Sequence, residues 1–240
     1  MKVVISQPMF LPWAGLFEQI RLADVFVHYE DVNLPRGRSF IHRVQIKTPR
    51  GQQWLSADLD RRNSGTHINQ TLFKKASGWR ERHLNLLHEN YRHARHYNLM
   101  REIVSAIYAC ETTNLAEFNR TAIEFLADRL GLSADFQTSP SLSIPGKGGE
   151  RLLEICRYFG AREYITGHGA ANYLDHELFE KHGIAVSYMD YQKQSYEQLH
   201  GDFIPYVSIL DAIANIGEDA GNLLVSGAIP WREYIHESTR

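Results

Sequence analysis

Apolar positions along this chain change period several times, and each change marks an element. Val3-Val4-Ile5 is an unbroken β-branched run, the pattern of a strand buried on both faces. Leu16, Phe17, Ile20 and Leu22 then recur at helical spacing, and Asp24-Val25-Phe26-Val27-His28-Tyr29 reads as the next strand. Between the first strand and the helix lies Ser6-Gln7-Pro8-Met9-Phe10-Leu11-Pro12-Trp13-Ala14-Gly15, where Pro8 and Pro12 fix φ and remove two backbone donors. No helix passes before Pro12, so the stretch is a rigid loop. The opening is a βαβ unit. In open α/β sheets ligands bind beyond the carboxyl ends of the strands, so the 6–15 loop and the Glu30-Asp31 end of the second strand are expected to face one crevice.

Alternation over 40–47 and, more loosely, over 53–59 flanks the turn residues Thr48-Pro49-Arg50-Gly51 and predicts an antiparallel hairpin. The polar, breaker-rich stretch 60–65 has the composition of a loop that closes over a ligand. Helices are predicted at about 79–92, 98–110 and 113–130, with Thr113 or Asn114 as the last N-cap. Beyond Gly131 come a short strand at 134–138, a Gly-rich turn at 145–149, a helix at 150–159, a strand at 163–166, a helix at 172–182 and a strand at 184–188. A mostly helical segment over 205–224, interrupted at Gly217, precedes a tail marked by Pro230-Trp231. The fold class is thus α/β: a Rossmann-like parallel sheet opening with βαβ, an inserted β-hairpin and a mostly helical middle segment. One domain over 1–240 is expected, with about 36–131 as a sub-lobe.

Composition bounds the partners. The 240 residues, 43% of them hydrophobic, suffice for a full core. No run approaches the roughly 20 apolar residues of a membrane span, so membrane insertion is not expected. Met1-Lys2 leads into a strand with no signal-peptide pattern, which places the chain in the cytoplasm. Cys110 and Cys156, and the histidines at 83, 88, 93 and 96, lack metal-ligand spacing, so no metal is expected and the thiols are read as buried and reduced. The net charge of −2 is unevenly placed: 14 Lys/Arg stand against 4 Asp/Glu between Arg36 and Arg101. That imbalance suits an anionic small molecule such as a nucleotide diphosphate, or is a solvated face paired with the acidic remainder. Nucleic acid is not the expected partner, and the sequence fixes neither a cofactor nor an oligomeric state.

Several residues carry candidate chemistry. Gly167-His168-Gly169, after a strand and before a helix, can present backbone N–H groups to an anion, although a glycine pair also serves any tight βα turn. His168 between them is a ligand contact or general acid. Asp31 at the second strand's end can orient an amine, accept a proton or simply cap a turn; His28 alternates with Tyr29, so one of them faces each side. In the hairpin, His42 and Arg43 project to opposite faces, and Arg43 suits a phosphate clamp. Trp13 and Trp54 are either core or stacking platforms, and Gln7 offers both a donor and an acceptor. The turn at 146–149 lacks the spacing of a phosphate-binding P-loop.

The run Gln7-Pro8-Met9-Phe10-Leu11-Pro12-Trp13-Ala14-Gly15, with Ala23-Asp24-Val25-Phe26-Val27, Asp31, His42-Arg43-Val44-Gln45-Ile46-Lys47-Thr48 and Trp54-Leu55, resembles the WbqC-like protein family. The likeness extends to Arg151-Leu152-Leu153-Glu154-Ile155-Cys156, Tyr164-Ile165-Thr166-Gly167 and Ser208-Ile209-Leu210-Asp211, and so spans most of the chain. The resemblance implies a role in bacterial surface-polysaccharide (O-antigen) assembly: an enzyme acting on a nucleotide-linked sugar, with acyl or aminoacyl transfer to a sugar amine as the reaction. A non-catalytic assembly factor is the alternative. Family members typically carry Asn-Arg in the hairpin, and His42-Arg43 stands here, a departure at the position where a hairpin amide would act. A looser likeness links the opening to nucleotidyltransferase and amide-forming enzymes with a His-or-Thr-x-Gly-His loop; Trp13-Ala14-Gly15-Leu16 keeps Gly15 and loses both polar positions. The candidate set is therefore Asp31, His168 and His28 for catalysis, and Gln7, Trp13, Gly15, His42, Arg43, Trp54, Gly167 and Gly169 for substrate binding.

Overall fold

The computed structural model describes residues 1–35, 37, 39–60 and 66–238. Strand β1 (Lys2–Ser6), helix α1 (Ala14–Leu22) and strand β2 (Val25–His28) form the expected βαβ opening. The hairpin is β3 (Arg43–Thr48) and β4 (Gly51–Ser56), its two-residue turn relieved by Gly51 at φ +96°. Helices α2 (Trp79–Tyr91), α3 (Tyr97–Tyr108) and α4 (Leu115–Arg129) follow, and Asn114 caps α4 by accepting the Glu117 N–H at 3.0 Å. Then come β5 (Asp135–Thr138), α5 (Ser139–Leu142), α6 (Gly148–Tyr158), β6 (Glu163–Thr166), α7 (His176–Lys181), β7 (Ala185–Asp190), α8 (Ile209–Ile216), β8 (Gly227–Pro230) and α9 (Trp231–Ser238).

Six strands form the central sheet in the order β5-β2-β1-β6-β7-β8, and the hairpin stands apart. All neighbours are parallel except β7 and β8. From β1 the chain winds outward through β2 and β5, returns to the other side of β1 at β6, and winds outward again. The order therefore reverses between β1 and β6, which is where an open α/β sheet leaves a crevice at its carboxyl edge.

Alternate side chains divide the core in two. Val4, Phe26 and Ile165 pack beneath α1, the hairpin and α2–α4, whereas Val3, Ile5, Val25, Val27 and Tyr164 pack beneath α6 and α7. Both faces are covered, which is why these strands read as continuous apolar runs.

Three predicted elements differ from what is observed. The helix expected over 172–182 is a 3-10 turn (His168–Asn172) followed by the short α7, because the Asp175 carboxylate accepts the Leu178 N–H at 3.0 Å and sets the start there. The segment expected over 205–224 is helical only from Ile209, after the Ser208 cap, and continues past Gly217 as a 3-10 turn. The tail at Pro230-Trp231 is an edge strand and a helix; a four-residue edge strand carries little alternation, and Pro230 is tolerated at its end. Of the stretch 60–65, residues 61–65 lie outside the described residues. Both cysteines are free thiols, and among the described residues no helix is long and apolar enough to cross a membrane.

Candidate functional site

The loop between β1 and α1 is fixed by its surroundings. Asn119 on α4 donates to the carbonyls of Pro8 and Ile41 at 2.8 and 2.7 Å, and the Phe10 N–H donates to the Phe40 carbonyl at 2.8 Å. Ser208 Oγ donates to the Leu11 carbonyl, and the Ile209 N–H to that of Pro12, each at 2.8 Å. Leu11 is fully buried with φ +42°, a left-handed conformation that costs a non-glycine residue about 1–3 kcal/mol. Phe10 and Leu11 plug the core, while Gln7 and Trp13 stay partly exposed.

Trp13 turns its indole over Gly15: a Cβ there would fall 2.2 Å from the ring, so only glycine fits. Tyr191 and Tyr206 meet Trp13 edge-on at 4.9 and 5.4 Å, and the Lys193 ammonium sits 5.6 Å from the Tyr206 ring. Burial, then the charge of Glu18, pushes the Tyr191 phenol up to about 12. Ser208 bridges Trp13 and donates its N–H to the Gln45 carbonyl at 2.8 Å, tying the hairpin to this cluster.

Across the switch point, β6 ends at Gly167 and His168. His168 is exposed, and its Nε2 lies 2.9 Å from the Met189 carbonyl oxygen. A carbonyl only accepts, so Nε2 carries a proton, and in the neutral ring the lone pair is on Nδ1. Its ring also rests on Tyr234 at 4.9 Å. Gly169 has nothing within 4 Å of where a Cβ would stand, whereas a Cβ on Gly167 would lie 3.3 Å from Nε2 of Gln19 on α1.

The carboxyl ends of β2 and β5 are built differently. Asp31 accepts from Nη1 and Nη2 of Arg151 at 3.0 and 2.5 Å and from Ser139 Oγ. Burial pulls the Asp31 carboxyl upward, but the Arg151 and Ser139 hydrogen bonds and the Arg151 charge outweigh it and hold the group below its usual range. Glu30 takes Arg120 at 2.9 and 3.0 Å; there burial wins and raises the carboxyl. His28 is fully buried, bonded through Nε2 to Glu124 at 3.1 Å and stacked on Phe136, so it points into the sheet–helix interface.

On the hairpin, the Arg43 guanidinium covers Trp54 at 4.4 Å and donates to the Gly37 carbonyl, and His42 is half-buried with its pKa lowered by burial and by the Arg43 charge. Other cations of this basic quarter serve the fold: the fully buried Lys47 donates to the carbonyls of Gly201 and Asp202 at 2.7 and 2.6 Å, and Arg80 covers Trp79. By position, Gln7 follows β1, Gly167 and His168 follow its neighbour β6, and Trp13 and Gly15 stand at the start of α1. Asp31 and His28 stand on the β2 side, and His42, Arg43 and Trp54 on the hairpin. A cavity of about 440 Å³ between His93, His96, Glu197 and Asp219, and another of about 550 Å³ beside Tyr97 and Arg101, contain none of these residues.

Gln19, Arg151, Tyr191 and Tyr206 are additions that the sequence reading did not reach. Gln19 alone left a signal, as a polar residue beside Leu16 and Ile20 on a short apolar helix.

A sequence model of the WbqC-like protein family matches residues 7–223. The chain is similar to "Uncharacterized protein Rv1507c" of Mycobacterium tuberculosis, with 33% identity over 226 residues, 93% of this chain and 97% of that one. No solved structure matches it.

Proposed function

We propose, for a chain that belongs to the WbqC-like protein family, that the crevice between β1 and β6 binds a nucleotide-linked amino sugar and transfers an acyl or aminoacyl group to the sugar amine. The observation that carries this reading is His168: it stands at the switch point with Nε2–H held by the Met189 carbonyl and Nδ1 facing no described partner. An imidazole so oriented is a general base. The amine nitrogen attacks the acyl carbon of an activated donor, the C–N bond forms as the bond to the leaving group breaks, and the nitrogen's proton passes to Nδ1 and on to the leaving group.

Gln7 and the ring cluster at Trp13 hold the substrate, and Lys193 beside Tyr206 faces the diphosphate. Asp31 keeps its ion pair and acts on the β2 side as a support, because a carboxylate held ionised by Arg151 is a weak base. The product is an acylated sugar nucleotide for surface-polysaccharide assembly in the cytoplasm.

Calorimetric titration with UDP- and dTDP-linked amino sugars tests the binding, and mass spectrometry after addition of acyl donors tests the transfer. His168→Gln is expected to retain binding and to lose about 100-fold or more in turnover. Turnover unchanged in that variant overturns the assignment of the base. Binding without turnover in the wild type turns the reading to a non-catalytic assembly factor.

A further inference from the structure

Glu18 and Gln19 are neighbours on α1, both polar and both buried, and they are treated oppositely. Glu18 Oε1 accepts the N–H groups of Val225 and Ser226 and the Ser226 hydroxyl, at 2.8–3.0 Å, and Oε2 accepts Arg21 Nε at 3.1 Å. Gln19 is only 7% exposed, and neither atom of its carboxamide has a hydrogen-bond partner among the described residues. Its carboxamide is not among the polar atoms sealed inside without a partner, so both of its ends stay open to solvent and to a ligand in the crevice. The position is also specific: Nε2 lies against Gly167, where β6 ends, and Gln19 is one helical turn below Gly15, the residue under the Trp13 indole.

We propose that Gln19 is a recognition residue of the crevice and reads the edge of a nucleobase, an inference that rests on the nucleotide-sugar reading above. A carboxamide presents one donor and one acceptor side by side in a plane, and its complement is a planar edge with an adjacent acceptor and donor. Uracil, thymine and adenine all carry such an edge. A secondary amide on a sugar does not, because its N–H and C=O point to opposite sides. The aromatic rings of Trp13, Tyr191 and Tyr206, clustered at the start of α1, suit a flat heterocycle, and Gly167 leaves the carboxamide room that a side chain there would take. The base enters toward Gln19, and the diphosphate leaves toward Lys193.

The test is Gln19→Met, which keeps volume and removes the amide, with UMP, TMP and AMP as probes and inorganic pyrophosphate as the base-free control. Without ligand, the variant is expected to melt within about 2 °C of the wild type, since the amide it loses is open to solvent and bonds to no described residue. Its Kd for the nucleotide that the wild type binds best should rise about 10- to 100-fold, with pyrophosphate affinity unchanged. Loss confined to UMP and TMP identifies a pyrimidine edge, and loss confined to AMP identifies adenine. A lower melting temperature with unchanged nucleotide affinity shows that the amide serves the fold and overturns the inference, while wild-type binding leaves the functional reading standing. A wild type that binds no nucleotide overturns both.

Discussion

Two stretches of the same sheet edge solve the problem of polar groups in opposite ways. At the ends of β2 and β5, Glu30 and Asp31 meet Arg120 and Arg151, and Ser139 joins Asp31 to the Glu30 backbone by donating to the carboxylate and accepting the Glu30 N–H. At the ends of β1 and β6, Gln7, Gln19 and His168 Nδ1 face no described partner, although the loop backbone around them is bonded from four sides. Charge density alone would place the active centre in the first region. The unpartnered groups of the second region stand where a ligand can reach them, Gln7 half-exposed and His168 exposed, and the site proposed above rests on that difference.

The largest expected effect comes from breaking the satisfied side. Asp31→Ala leaves the Arg151 guanidinium, 6% exposed, without a counter-charge; removal of one partner of a fully buried pair costs about 3–5 kcal/mol, and with Asp31 itself 23% exposed a loss of about 2–3 kcal/mol is expected. Urea denaturation should show this loss as a fall in the midpoint at unchanged slope. A cost under about 1 kcal/mol, together with lost substrate binding, would move Asp31 from support to site and reverse the comparison.

A second satisfied group sharpens it through pH. His83 packs between the hairpin and α2–α3, with Nε2 on the Ser56 carbonyl at 3.0 Å and Nδ1 on the Tyr108 hydroxyl at 2.9 Å; burial lowers its pKa from 6.5 to about 4. The unfolded chain takes up this proton first, so its contribution is full above pH 6.5, declines as the pH falls toward 4, and levels off below. The shift corresponds to about 3 kcal/mol. Asp31, with its carboxyl lowered, adds a further loss only in more acidic solution. Denaturation curves at pH 7 and 5 should differ in the wild type and differ less in His83→Gln. Equal pH slopes in the two proteins would refute the assignment.

What could be read from the sequence follows the range of the interactions. The βαβ opening, the hairpin and the strand at β6 rest on local periodicity and turn chemistry, and they stand where the pattern placed them. The Pro-stiffened loop was legible as rigid from Pro8 and Pro12, but not its bonds to Asn119 and Ser208, which come from more than 100 residues away. The same distance hid the Arg151 partner of Asp31, and with it the reason that a carboxylate at a strand end need not be catalytic. His28 illustrates a finer limit: alternation places it and Tyr29 on opposite faces, but which face meets α4 is a tertiary fact. The edge strand β8 was missed because four residues closing on Gly227 and Pro230 offer neither period nor length.

The smallest expected effect discriminates most finely, and it compares two glycines two residues apart. Gly169 has open space around a notional Cβ and no left-handed φ, so turn geometry does not demand a glycine; Gly169→Ala should change stability by no more than about 0.5 kcal/mol. Gly167 is extended, at φ −89° and ψ 165°, a conformation that alanine adopts freely, but its Cβ would press on Gln19 Nε2 at 3.3 Å. The tip of a glutamine can move a few tenths of an ångström, so Gly167→Ala should also fold with little loss. Binding then separates the two variants. If ligand reaches the crevice floor through Gln19, Gly167→Ala weakens nucleotide affinity by displacing the carboxamide, about fivefold for a hydrogen bond worth 1 kcal/mol. Gly169→Ala weakens it only if an anion approaches the turn's own N–H groups. Calorimetry on the two single variants and the double variant reads this directly: an effect at 167 alone assigns recognition to the side chain of α1, an effect at 169 alone assigns it to the turn backbone, and equal affinity throughout removes the β6 end from the binding site.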